Sequence, residues 1–173
     1  MWNDILKYVP VSPANILELG PNIGFNLRAL RLLLPQASLS GIEINAQAVD
    51  RLKEWGEAEV THGSILDYTP GPRRWDLVFT SGVLIHINPE YLQTVYKLMH
   101  MASTRYICLA EYYNPTPVEV AYRGNAERLY KRDFAGDILD MFSDVRLLGY
   151  GCTYRRDTKT PHDDLMWFVL EKY

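Results

Sequence analysis

Glu18, Gly20, Asn22 and Gly24 place an acid directly ahead of a turn that lets a ligand approach the backbone. Ile16, Leu17 and Leu19 surround that acid with apolar residues, which predicts a buried strand over 15–19 breaking into the turn. A helical pattern of Phe25, Leu27, Leu30, Leu33 and Leu34 begins at once and predicts a helix from about Asn26 to Leu34, closed by Pro35. Glycines permit close backbone approach and a helix start offers unpaired N–H groups, so the segment reads as a nucleotide-handling corner. A dinucleotide fingerprint would require glycine where Asn22 and Phe25 stand. A buried Glu18 would also repel a diphosphate, whereas it suits a ligand carrying an ammonium and a sulfonium. Asn26 and Leu27, at the helix start, complete this group of candidate ligand contacts.

A second acid, Glu43, ends the strand-like run from Ala37 to Ile44, roughly 20 residues beyond the glycine turn. A carboxylate there can accept both hydroxyls of a ribose, with Ile44 beside it. After a short strand over 58–61, Gly63, Ser64 and Ile65 are placed to wall an adenine, Asp67 being the weaker partner. The strand over 75–80 delivers Thr80, Ser81 and Gly82 to the same edge, followed by His86. A sulfonium methyl is attacked in line by a nucleophilic O, N or C, so positioning and desolvation carry most of the chemistry. A hydroxyl acceptor also requires a base, and imidazole can take its proton near neutral pH. His86 fills that role, or else only hydrogen-bonds and orients its neighbours within an apolar segment. Tyr112, Tyr113 and Asn114 leave the strand over 105–110 toward the same space, where tyrosines can bracket a cationic methyl and an amide can orient an acceptor. Arg123, Lys131 and Arg132 serve an anionic acceptor or form a solvated loop and helix start. His162, Asp163 and Asp164 are adjacent and do not read as a metal site; Asp164 reads as a surface acid at a strand start.

The elements that must position these residues alternate. A short N-terminal helix holds Trp2, Ile5 and Leu6, and a second helix carries Val49, Leu52 and Trp55 on one face. Asn88, Pro89 and Glu90 make a strong helix start, with Leu92, Val95 and Leu98 or Met99 inward. A polar loop over 116–130 leads to a helix containing Phe134, Ile138 and Met141 or Phe142. The runs 145–150 and 165–170 are joined without a convincing helix, which predicts an antiparallel final pair. The expectation is one domain over 1–173: a Rossmann-like, doubly wound α/β fold whose mostly parallel, seven-stranded sheet ends in a C-terminal antiparallel hairpin. Hydrophobic residues at 47% and charged ones at 23% fit a globular domain, and a net charge of −3 argues against broad binding to nucleic acid. Two cysteines, Cys108 and Cys152, without metal-type spacing suit a reducing cytoplasm, and no apolar run approaches a membrane span.

The turn from Glu18 to Gly24 resembles motif I of class I S-adenosylmethionine methyltransferases, with Asn22 at the usual middle glycine. Asp76-Leu77-Val78 is similar to their fourth motif. More narrowly, the chain resembles the pseudaminic-acid-biosynthesis-associated methyltransferases through Leu17-Glu-Leu-Gly-Pro-Asn-Ile-Gly-Phe-Asn-Leu27, Gly41-Ile-Glu-Ile-Asn45 and Gly82-Val-Leu-Ile-His-Ile-Asn-Pro89. Glu111-Tyr-Tyr-Asn-Pro115, Tyr122-Arg-Gly124, Lys131-Arg-Asp-Phe-Ala-Gly136 and Asp163-Asp164 before Trp167-Phe168 extend the resemblance. It implies S-adenosylmethionine as cofactor, S-adenosylhomocysteine as product and a small polar acceptor, with a sugar or sugar nucleotide in view. No metal or membrane is expected, and either the 112–130 loop or a second subunit of a homodimer is expected to cover the acceptor side. Two rivals are a nucleic-acid base methyltransferase and a non-catalytic cofactor-binding partner of a biosynthetic complex.

Overall fold

The computed structural model describes residues 1–122 and 125–173, and the side chains of residues 121–128 lie outside that description. Five parallel strands come first: β1 (Asn15–Leu19), β2 (Ser38–Glu43), β3 (Glu59–His62), β4 (Trp75–Ser81) and β5 (Ser103–Glu111). A separate hairpin of β6 (Val118–Tyr122) and β7 (Asn125–Lys131) follows, then β8 (Val145–Cys152) and β9 (Met166–Lys172). The seven-stranded sheet has the order β3-β2-β1-β4-β5-β9-β8, with β9 antiparallel to both of its neighbours. Growth of the sheet reverses after β3, because β4 adds on the far side of β1. The connections leaving the carboxyl ends of β1 and β4 therefore diverge and open a crevice.

Alternation along the strands builds a core on each face of the sheet. Leu17, Val78 and Ile107 pack with Leu92, Val95 and Met99 of α4 (Leu92–Ala102) and with Phe134 and Ile138 of α5 (Phe134–Met141). Their alternates Ile16, Leu77, Phe79 and Cys108 pack against Trp2 and Ile5 of α1 (Trp2–Ile5), Leu27 and Leu30 of α2 (Phe25–Leu33), and Leu52 of α3 (Ala46–Trp55). Local chemistry sets the helix ends. The Asn45 side chain accepts from Gln47 N and Ala48 N to begin α3, and Gly56 closes it at φ +73°. Asp133 accepts from Gly136 N at 2.8 Å to begin α5. Asn88 caps a single 3-10 turn, Pro89–Tyr91, and α4 follows from Leu92.

One expectation is corrected. The span 116–130, expected as polar loop, contains the β6–β7 hairpin, whose register pairs Val118 with Lys131 and Val120 with Leu129. The alternate spacing of Val118, Val120 and Tyr122 was its signal, passed over because the run is short and set among polar residues. The helix expected from the apolar pattern forms, and within that pattern Phe25 and Leu33 are 73% and 38% exposed. The inward face is filled by Leu27 and Leu30, and a second apolar stripe points away from the sheet.

The turn after β1 is conformationally demanding. Gly20 and Gly24 have φ of +72° and +84°, and Asn22 has φ of +50°. Asparagine is among the few residues that visit this region readily, which explains how it replaces the middle glycine. A Cβ on Gly24 would collide with Cδ2 of Leu52 in the core. Gly24→Ala is therefore expected to lower unfolding stability by about 2–4 kcal/mol, from backbone strain plus overpacking, as read by urea denaturation.

Candidate active site

The carboxyl edge of the parallel strands carries the predicted acids. Glu18, next to last in β1, is only 1% exposed. Its Oε1 accepts from Asn26 Nδ2 at 2.8 Å, and Asn26 Oδ1 accepts in turn from Trp2 Nε1 at 3.0 Å. Its Oε2 is buried without a hydrogen-bond partner among the described residues. Burial pushes the Glu18 carboxyl up to about 8; the Asn26 amide opposes the rise and the charge of Glu43 adds to it. Glu43, at the end of β2, is oriented by two backbone donors: Asn22 N to Oε2 and Asn45 N to Oε1, each at 2.7 Å. The strained turn thus presents its own amide to the second acid.

Two cavities adjoin along this edge. One, of about 390 Å³, is lined by Gly20, Asn22, Glu43, Ile44, Gly63, Ser64 and Ile65, and by Gly82, Val83 and His86 toward its other side. Ile44, 69% exposed, forms an apolar ledge beside Glu43. The other, of about 620 Å³, is lined by Asn22, Phe25, Asn26, Ser81, Gly82, Ile85 and His86 on the sheet side. Tyr112, Val120, Leu129, Lys131, His162, Asp163 and Leu165 close it from the hairpin and the β8–β9 connection. Asn22, Gly82 and His86 belong to both, so the two spaces meet at the switch point between β1 and β4.

Glu111, at the end of β5, was missed as a functional residue, although an acid closing an apolar strand was a readable signal. It is 2% exposed, and its Oε1 accepts from Val83 N at 3.0 Å and Leu84 N at 3.1 Å. Those bonds anchor the 3-10 turn Leu84–His86 and so hold His86 at the junction. Burial raises the Glu111 carboxyl to about 7, against the lowering effect of the two amides. For Glu18 and Glu111 alike the folded state binds a proton more tightly than the unfolded chain. Between about 4.5 and 8 the folded state carries the extra protons, so stability is greatest at the acidic end and declines as pH rises through the window. The thermal midpoint of the ligand-free protein is expected to fall over that range, and Glu18→Gln to remove the upper part of the decline.

Tyr112 donates to Asp163 Oδ2 at 3.0 Å, and Lys131 Nζ lies 5.3 Å from the centre of the Tyr112 ring. The connection after β8 thus returns over the site through His162 and Asp163. Asp164 instead accepts from Arg155 N at 2.9 Å in an exposed position, in keeping with a surface acid.

Several expected site residues stand elsewhere. Glu18, Leu27 and Thr80 are buried and line neither cavity: Glu18 lies behind the cavity-lining Asn26 to which it is bonded, while α2 and β4 turn Leu27 and Thr80 into the sheet layers. Gly24 shapes the turn against Leu52. Tyr113 packs on Phe168 at 5.9 Å between ring centres, and Asn114 donates to Thr116 O at 2.6 Å, so neither faces the cavities. Arg132 pairs with Asp137, its Nε 2.7 Å from Oδ2, away from Lys131. Strand alternation in β7 and the helix start that follows separate these two basic neighbours. Arg123 lies outside the described residues. Asp76 holds the opposite edge of the sheet, its Oδ2 accepting from Ala14 N and Asn15 N. No group of histidine, cysteine or acidic residues that could hold a metal occurs among the described residues, and no described helix is long and apolar enough to cross a membrane.

A doubly wound sheet closed by an antiparallel β9, with a cleft over β1 and β4 and an acid at the ends of β1 and β2, defines the class I methyltransferase fold. The chain belongs to the methyltransferase domain family, which matches residues 16–103, and is a methyltransferase. Among solved structures it is similar to the glycopeptide N-methyltransferase MtfA complexed with (S)-adenosyl-L-homocysteine, with a TM-score of 0.72 at 11% identity over 99% of this chain and 88% of that one. N-methyltransferase NodS from Bradyrhizobium japonicum WM9, in complex with the same compound, gives 0.71 at 14% identity over 98% and 84%. TehB from Haemophilus influenzae gives 0.71 at 15% identity, over all of this chain and 62% of that one. No curated protein matches the chain in sequence.

Proposed function

We propose that the protein transfers a methyl group from S-adenosylmethionine to a small polar acceptor of the sugar or sugar-nucleotide class. The observation that carries this reading is Glu43, a nearly buried carboxylate fixed by two amides at the wall of a nucleoside-sized cavity. Such an acid suits a ribose diol. Gly63, Ser64 and Ile65 would flank the base, while Ser81 and Gly82 would line the passage toward the larger cavity. The unpartnered Glu18 Oε2 fits an ammonium, which would restore the charge that burial suppresses. When bound, the cofactor supplies an electrophilic methyl group whose sulfur leaves with the S–C bonding pair as a neutral thioether.

The residues of this chain then have separable tasks. His86 stands where the two cavities meet and would take the proton of an acceptor hydroxyl as the new bond to carbon forms. Glu111 holds the turn that carries it. Tyr112 and Asp163 would orient acceptor hydroxyls, and Lys131 would attract a negative charge such as a carboxylate or sugar-nucleotide phosphate.

Calorimetric titration with S-adenosylhomocysteine tests the cofactor assignment. Binding at pH 7 should release protons, because the ligand's ammonium draws Glu18 below the value near 8 that it has when empty. The measured heat should therefore differ between phosphate and Tris, and Glu18→Gln should abolish that difference. Absence of binding at millimolar ligand would overturn the assignment.

A further inference from the structure

We infer that the acceptor carries an apolar segment beside its polar, methylated end, and that this segment lies in a groove along α2. The inference rests on the methyl-transfer reading of the adjoining cavity and adds a substrate class to it.

Phe25, Ala29, Leu32 and Leu33 follow one another at helical spacing (i, i+4, i+7, i+8). Apart from Ala29, which also packs against the core of Leu27 and Leu30, they form a stripe on α2 distinct from the one buried against the sheet. Phe25 is 73% and Leu32 84% exposed. A helix packed on one side of a sheet ordinarily turns a polar face outward, so a second apolar stripe points to an occupant.

The groove on this stripe has a volume of about 410 Å³ and is also lined by Trp2, Asn26 and His162. Phe25, Asn26 and His162 line the larger active-site cavity too, so the groove begins where that chamber ends. Its volume lies in the range of small-molecule sites. Continuity with the chamber selects the acceptor's own apolar part, an alkyl or aryl substituent. The polar end would meet His86, Tyr112, Lys131 and Asp163 while the apolar end passes Phe25 toward Leu32.

The test uses n-alkyl glucosides from methyl to octyl, below their micelle concentrations, titrated onto the full chain saturated with S-adenosylhomocysteine. Affinity should rise about four-fold per added methylene once the chain enters the groove. Leu32→Glu and Leu33→Glu should flatten that dependence, while Gln47→Glu, on an exposed position of α3 away from the groove, should leave it intact. Affinity independent of chain length would overturn the inference, as would a dependence that both leucine variants retain. So would a concentration-dependent dimer of the wild-type chain that Leu32→Glu dissociates, because the stripe would then face a second copy. Failure of S-adenosylhomocysteine to bind at all would instead strike the methyl-transfer reading, so the two failures are distinguishable.

Discussion

Glu43→Ala should weaken S-adenosylhomocysteine binding by about 100-fold or more while leaving the protein folded. Two hydrogen bonds from a ribose to a charged acceptor contribute roughly 1.5–3 kcal/mol each, and removing the carboxylate removes both. Asn22 N and Asn45 N lose their acceptor as well, so the strained turn loses the tie that aligns it with β2. Glu43→Gln keeps one carbonyl oxygen in place and should fall between the two. Calorimetry on all three proteins, with thermal midpoints in parallel, separates a lost contact from a lost fold. If Glu43→Ala binds as tightly as the wild type, the nucleoside does not lie against β2.

His86→Ala should lower kcat for a hydroxyl acceptor by roughly 100- to 10,000-fold, the usual contribution of a placed general base. Affinity for S-adenosylhomocysteine should change far less, because Glu18 and Glu43 remain. The readout that distinguishes a base from a structural histidine is chemical rescue. Added imidazole should restore part of the rate lost in His86→Ala if the ring takes the acceptor proton, whereas a purely positional His86 would leave the variant unrescued. Glu111→Ala should act in the same direction through the released 3-10 turn, since Val83 N and Leu84 N lose their acceptor. A neutral amine acceptor would make both effects small, since it needs no base, and the acceptor would then belong to a different class.

Much of the cofactor side was legible because its determinants are local. An acid inside an apolar strand, glycines within four residues of it and a second acid at the next strand end follow from spacing and from the geometry of a parallel βα unit. Asn22 in the left-handed region is a further local fact, allowed by the chemistry of its own side chain. The antiparallel ending was readable for the same kind of reason, since a connection without a crossover helix cannot return the chain in parallel.

The larger cavity was decided by contacts distant in sequence. Tyr112 meets Asp163 across 51 residues and Glu111 meets Val83 across 28, and no periodicity encodes either meeting. Which of two adjacent side chains enters the site also depended on packing: Lys131 faces Tyr112, whereas Arg132 turns to Asp137, and Tyr112 lines the cavity while Tyr113 packs on Phe168. The two stripes of α2 make the same point. Residue types alone marked Phe25, Leu27, Leu30 and Leu33 as one apolar set, and only docking of the helix on the sheet divided it into a buried face and an open one. Sequence by itself therefore determined the sheet and the acids at the ends of β1 and β2, because strand ends, turns and caps obey short-range rules. Tertiary structure decided the larger cavity, because its walls come from β4, β5, the β6–β7 hairpin and the last connection, which meet only once the sheet has closed.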